Sequence, residues 1–527
     1  MFSEAMMSAY THSASFEGAD ARLVDVQVQI AGGTPAFSVV GLADKAVAES
    51  RERVRAAFAA IGLSLPGQRL IVNLAPADRP KEGAHFDLPI AIGILIAMGV
   101  LPPEAGSEYL AMGELGLDGS ISPAPGALPA AMLAVEQETG FICAHDSGPE
   151  AAWAGGELAI LAPASLIQLI NHFKGGQALA RPQPGDLVEG PGFRDMRDVR
   201  GQETAKRALE IAMAGGHNIL FIGPPGSGKS MLAERAPGLL PPLSAKELLE
   251  ISTVQSVAGL LERGELSRTR PFRAPHHSAS MAAMVGGGTR VRPGEASLAH
   301  NGVLFLDELP EFHPQVLDSL RQPLETGEIA VARANARITF PARFQLIAAM
   351  NPCRCGWAGA DGRACARGKN CAESYQARIS GPMMDRIDLQ IEVPPVTPAD
   401  LALPPAHEGT AQIAARVAQA RGVQEERGGL NARLSGEALD RIAEPDAAGR
   451  ELLSRAAEAM GLTARSYHRV LRTARTIADL DGADGVRRIH IAEALSARRN
   501  TRPSSPAPGW KAGDGETEKL LRHSTLR

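Results

Sequence analysis

Residues 218 to 230 read NILFIGPPGSGKS, an apolar run followed by three spaced glycines, a lysine and a serine. A short apolar run closed by glycine reads as a buried strand, and the loop after it fits the spacing G-x-x-x-x-G-K-[ST] that opens a helix. Strand, loop and helix in that order require a parallel sheet with helices packed on it. Gly223, Pro224, Pro225, Gly226, Ser227 and Gly228 form a loop whose backbone N–H groups can wrap phosphate oxygens. Lys229 offers a point charge to the β- and γ-phosphates, and the Ser230 hydroxyl can reach Mg²⁺ at the helix start. The ligand this chemistry asks for is ATP with Mg²⁺.

A second apolar strand, VLFLDEL at 303 to 309, ends in two acids. By itself it could be any strand followed by a helix cap. Behind a phosphate loop, the preferred reading puts Asp307 beside the metal and lets Glu308 polarise an attacking water.

The 527 residues are too many for one compact core, so two or three domains are expected. From Leu23 to Leu74, VDVQVQI, PAFSVVGL and RLIVNLAP read as strands around a helix, DKAVAESRERVRAAFAAIG. LAMGELGLDGSIS, a helix from about Leu128 and short strands near 141 and 160 complete an α/β domain over 1–173. Residues 174–194 are rich in Gly and Pro and read as a linker. The phosphate-loop core follows over 195–395, then a helical lid over 396–500. The tail 501–527 has little to bury and reads as disordered.

A net charge of -5 makes the whole chain no polycation, so any nucleic-acid contact must come from local basic patches. The longest apolar run, LPIAIGILIAMGVL, is shorter than the roughly 20 residues of a bilayer span. With no basic-then-apolar leader and few cysteines, a reducing cytoplasm is the expected compartment.

PFRAPHHSASMAAMVGGG, RPGEASLAHNGVLFLDELPEF, LRQPLETGE, AAMNPCRCG, SGPMMDRIDLQIEVP and SYHRVLRTARTIADL occur in that order. Together they resemble the Mg-chelatase-like AAA+ ATPases of the ComM (YifB) family, over essentially residues 1 to 500. The resemblance implies that Asn351 is the sensor residue beside the γ-phosphate. It implies that Arg386 is a finger reaching a neighbouring subunit's nucleotide and that Arg465 is a second sensor on the lid. It also implies a homo-hexameric ring acting on DNA, single-stranded or branched, as a branch-migration helicase. The motor subunit of a magnesium chelatase is the alternative. The front segment resembles the fold shared by ribosomal protein S5 domain 2 and Lon-type proteolytic domains. Where Lon proteases carry their Ser-Lys pair, this chain has His85 and Ala130.

Two stretches could line a ring's channel. One runs from about Arg263 to Pro293 with Arg268, Arg270, Arg273, His276, His277, Arg290 and Arg292; the other is a hairpin with Arg333 and Arg337 near its tip. Such charge can follow a phosphate backbone, and it can equally be a solvated surface. His276 and His277, with no acid nearby in sequence, are a weak metal set. Four of the five cysteines, Cys353, Cys355, Cys365 and Cys371, crowd one glycine-rich loop. They could hold Zn²⁺ as tetrahedral thiolates or pack the loop as reduced thiols; C-x-C-x9-C-x5-C is not the common paired knuckle.

Overall fold

The computed structural model describes residues 7–41, 44–190, 192–288, 291–333, 336–357, 365, 370–402, 404 and 406–498. Arg290, the side chains of Arg333 and Arg337, and the tail beyond residue 500 lie outside that description.

The front of the chain is a seven-stranded mixed sheet. In spatial order its strands are Ala36–Val40, Arg69–Ala75, Asp20–Ala31, Met7–Glu17, Tyr109–Ala111, Gly140–Ile142 and Ile160–Leu161. Helices Lys45–Ala60 and Asp87–Ala97 cover one face, and helix Ala127–Glu136 covers the other. The expected helix and strands all form, and the structure adds Met7–Glu17 near the middle of the sheet. That strand escaped periodicity because its buried side chains are small or polar, among them Ala9, Thr11 and Ser13. They suit a close approach: a Cβ on Gly106 of helix Glu104–Ser107 would lie 2.1 Å from the Tyr10 carbonyl oxygen and 3.0 Å from the Thr11 methyl.

The second sheet has five parallel strands in the order Phe272–Arg273, Val303–Leu306, Gln345–Met350, Ile219–Ile222 and Leu389–Glu392. Both faces are covered. Ile219, Phe221, Phe305 and Ile347 join one apolar cluster, while Leu220, Leu304, Leu306 and Leu346 join the other. Strands buried on two faces read as continuous apolar runs, which is why these were legible. The C-terminal helices share the first cluster with the sheet. Arg421 donates to the Met213 carbonyl and His217 meets Thr476 at 2.8 Å, so the expected lid is packed against helix Glu203–Gly215.

The stretch read as a linker is stitched down. Leu187–Val188 pairs in parallel with Leu266–Ser267, and a Cβ on Gly185 would come within 2.3 Å of the Gly264 carbonyl oxygen. Glycine here is a contact requirement, with no freedom implied. The two sheets are joined nearby: Trp153 donates to the Gly264 carbonyl at 2.8 Å, and Glu150 accepts from the Leu128 N–H and the Ser256 hydroxyl. Gly18, at the first hairpin turn, lies against the Thr339 carbonyl of the expected channel hairpin.

Burial pushes the Glu150 carboxyl up from its ordinary range, and its two hydrogen bonds oppose this. An acid whose folded pKa is raised loses stabilisation as pH rises through that pKa. Glu150→Gln removes the ionisation, so its Tm relative to wild type should climb between about pH 5 and pH 8. Parallel melts across that range check it; a gap that stays flat or narrows contradicts it.

Candidate nucleotide site

Gly226 and Gly228 have φ of 76° and 91°, the left-handed region that favours glycine. Gly223 is required for a different reason, since a Cβ there would lie 2.1 Å from the Val393 carbonyl oxygen. The loop these residues shape leads into helix Lys229–Arg235. Lys229 is buried and donates to the Gly223 and Pro224 carbonyls at 2.8 and 2.9 Å and to Asn351 Oδ1 at 3.3 Å. Burial lowers its pKa, and Asp307 and Glu308 oppose that shift.

Strand order explains why these groups meet. Gln345–Met350 lies between the phosphate-loop strand and the acid strand, so Asn351 emerges between Lys229 and Asp307. Ser230 donates to Asp307 Oδ2 at 2.7 Å. A hydroxyl beside a carboxylate is a hard-oxygen donor set that fits Mg²⁺. Glu308 has φ 51°, and its N–H donates to Asp307 Oδ1. His277 Nδ1 stands 3.4 Å from Glu308 Oε2. The acid partner that the sequence did not place near this histidine pair is therefore Glu308.

Arg386 and Arg465 sit elsewhere. Asn218, which starts the phosphate-loop strand, donates to the Arg386 carbonyl, and its own side-chain oxygen accepts from Leu346 N at the start of the neighbouring strand. Both arginines therefore lie at the opposite sheet edge from Lys229. The five steps from Asn218 to Gly223 span about 17 Å. Glu325 holds the pair together, accepting from Arg386 and lying 3.5 Å from Arg465 Nη2. A lid sensor closing on the phosphate loop of its own chain is not what this arrangement offers.

A cavity of about 670 Å³ opens at this edge, lined by Arg343, Arg386, Arg433, Arg465, Arg469 and Arg472, with Glu325 and Asp388 as its acids. Arg469 is buried and its pKa falls to about 10, chiefly through burial and against the pull of Asp388. Arg469 Nη1 and Arg472 Nε make no hydrogen bond among the described residues. Sequence reading passed over Glu325, Arg469 and Arg472. The last two were findable, because 465, 469 and 472 fall on one face of helix Ala464–Leu480.

Several expected channel cations are already engaged. Arg270 is buried, bonded to Glu247 and to the Pro241 and Asn301 carbonyls, so it is a structural clamp. Arg273 makes a two-pronged pair with Glu295. Arg268, His276 and Arg292 stay exposed. In the front sheet, His85 is buried against Phe86 and meets the Ala14 carbonyl, and burial lowers its pKa. Ala130 is buried in helix Ala127–Glu136. Cys353, Cys355, Cys365 and Cys371 do come together, with thiol sulfurs all within 4.8 Å of one another.

Residues 195–401 match the family model for magnesium chelatase subunit ChlI, and 407–498 match the model for the C-terminal part of that subunit. Residues 26–147 match a separate model, subunit ChlI of Mg-chelatase. With the site described, they define a Mg-chelatase-like AAA+ ATPase, a class that works with ATP and Mg²⁺. Competence protein ComM of Haemophilus influenzae is 43% identical over 94% of this chain and 98% of its own length. YifB of Escherichia coli K12 is 43% identical over 94% and 97%. The magnesium-chelatase 38 kDa subunit of Rhodobacter capsulatus is 28% identical, over 29% of this chain and 49% of its own length. The chain belongs to the ComM/YifB family of Mg-chelatase-like proteins. No helix among the described residues is long and apolar enough to cross a membrane.

Lys229→Ala should lower ATP turnover by about 100-fold or more, the scale for removing one donor aimed at developing phosphate charge. Glu308→Gln should lower kcat and leave nucleotide binding near wild type, because among the described residues Glu308 makes no hydrogen bond to the loop groups that would cradle phosphate. Steady-state turnover and nucleotide titration of both variants check this; a Glu308→Gln chain with full kcat contradicts it.

Proposed function

We propose that this chain is one subunit of a cytoplasmic homo-hexameric ring that spends ATP to move DNA, single-stranded or branched, as a branch-migration helicase in recombination and uptake of transforming DNA. The observation that carries the ring is the division of charge between two sheet edges. Lys229, Ser230 and Asp307 converge at one edge, and Arg386 and Arg465 lie at the other. A guanidinium that cannot reach its own chain's phosphates acts through a neighbour, and head-to-tail contacts that close make a ring. The Haemophilus relative is a competence protein by name, which supports DNA as the substrate.

In this reading the backbone N–H groups of Gly223 to Ser230 hold the phosphates, with Lys229 on the β- and γ-oxygens. Mg²⁺ at Ser230 and Asp307 would offset phosphate charge. Glu308 takes a proton from water as its oxygen bonds to the γ-phosphorus and the bond to the β–γ bridging oxygen breaks. Asn351 orients Lys229 and the γ-phosphate. Arg386 and Arg465 leave Glu325 for the neighbour's γ-phosphate as charge builds on it. The front sheet is a non-proteolytic scaffold of S5-domain-2 type, lying against the channel hairpin at Gly18.

A chelatase motor remains the second reading, favoured by the names of the matching family models. A front domain does not weigh against it, since residues 26–147 match a chelatase-subunit model themselves. Extent does: the chelatase relative covers 29% of this chain and the ComM relative 94%.

ATP turnover and strand movement on a synthetic branched DNA, with Lys229→Ala as the blank, test the proposal. DNA should raise turnover and strands should exchange. Turnover unmoved by DNA but raised by chelatase partner subunits overturns it.

A further inference from the structure

We infer that Cys353, Cys355, Cys365 and Cys371 bind one Zn²⁺ ion as a tetrathiolate, and that this ion braces the phosphate loop. The metal assignment goes beyond the proposed function; the bracing rests on the reading of residues 223 to 230 as the nucleotide loop.

Four thiolates at about 2.3 Å from a tetrahedral zinc stand roughly 3.8 Å apart. The sulfurs here are 3.1 Å apart for Cys353 and Cys355, 3.2 Å for Cys355 and Cys365, and within 4.8 Å for every pair, with no disulfide among them. Four sulfurs that close converge on a single ion, and all-sulfur tetrahedral sites select zinc or iron. Cys353 and Cys371 are buried, which suits a closed structural site. On binding, four S–H protons pass to solvent and the site gains two net negative charges. By sequence the loop carries Arg354, Arg363, Arg367 and Lys369 against one acid, Asp361.

The cluster is wired to the nucleotide loop. Asn351, bonded to Lys229, precedes Cys353 by two residues. Gly356 has φ 84°, and a Cβ on it would lie 2.6 Å from Pro225 Cδ, so the turn after Cys355 rests on the phosphate loop. Cys371 lies in helix Asn370–Gln376, whose Gln376 donates to the Pro352 carbonyl at 2.9 Å. Just past it, Arg378 pairs with Glu311, which lies beyond the acid strand. An ion at the four sulfurs ties the exit of strand Gln345–Met350 to this helix behind Pro225.

Metal analysis of full-length purified protein should find one zinc per chain, retained in Cys143→Ala, whose site is remote. Cys355→Ser and Cys371→Ser should lose it. Because those variants could fail to fold, wild-type protein stripped by chelation and reloaded with Co²⁺ gives a second readout: absorption bands of tetrahedral cobalt thiolate. Zinc-stripped protein should bind a fluorescent ATP analogue about tenfold more weakly, as expected if the loop keeps its binding form a tenth of the time, and zinc should restore it. Near-zero zinc with no cobalt bands, or stoichiometric iron, overturns the metal assignment. Stoichiometric zinc whose removal leaves nucleotide affinity unchanged overturns the brace while leaving the metal site and the ATPase reading intact.

Discussion

In a parallel sheet all strands begin at one edge and end at the other, so whatever their ends carry is sorted into two sets held about a strand's length apart. Ile219–Ile222 sits between two parallel neighbours and takes part in both sets. At its end Gly223 turns into the phosphate loop. At its start Asn218 fixes Arg386 and the neighbouring strand. The mixed front sheet lies outside this sheet, while the helical segment adds Arg433, Arg465, Arg469 and Arg472 to the far edge.

The two edges differ in charge as well as position. At the loop edge one buried lysine faces Asp307 and Glu308. At the far edge six arginines surround a cavity that holds two acids. Like charges about 4 Å apart at an effective dielectric near 20 repel by about 4 kcal/mol, so a crowd of guanidiniums is costly without an anion. Glu325 and Asp388 offset part of that cost. Burial still pulls the Arg469 pKa down to about 10, and its Nη1 lacks a bond among the described residues. A surface of this kind is complementary to polyphosphate and poorly suited to apolar partners. The proposed sharing of hydrolysis between protomers would account for both edges together.

The phosphate loop, the acid pair and the strands around them were legible because each is a local pattern: a buried strand, a glycine spacing, two acids at a strand end. Met7–Glu17 was not, since a strand that admits a close helix needs small side chains and so carries no hydrophobic alternation. Arg270 and Arg273 looked like free loop cations because Glu247 and Glu295, which neutralise them, lie over 20 residues away in sequence. Glu325 stands in a quoted motif, yet its importance depends on two arginines 61 and 140 residues further on, which only the tertiary fold brings to it. In the stretch read as a linker, composition hid one contact: Gly185 lies against the Gly264 carbonyl.

Mixing two crippled chains tests the shared pocket most directly. Lys229→Ala and Arg386→Ala should each be nearly inactive alone, since one lacks the phosphate charge and the other the neighbour's guanidinium. After subunit exchange at equal ratio, about a quarter of pockets would pair an intact loop with an intact neighbouring arginine, and ATP turnover should recover accordingly. A mixture no more active than its separate components, although mixed assemblies form, would contradict hydrolysis shared across the interface.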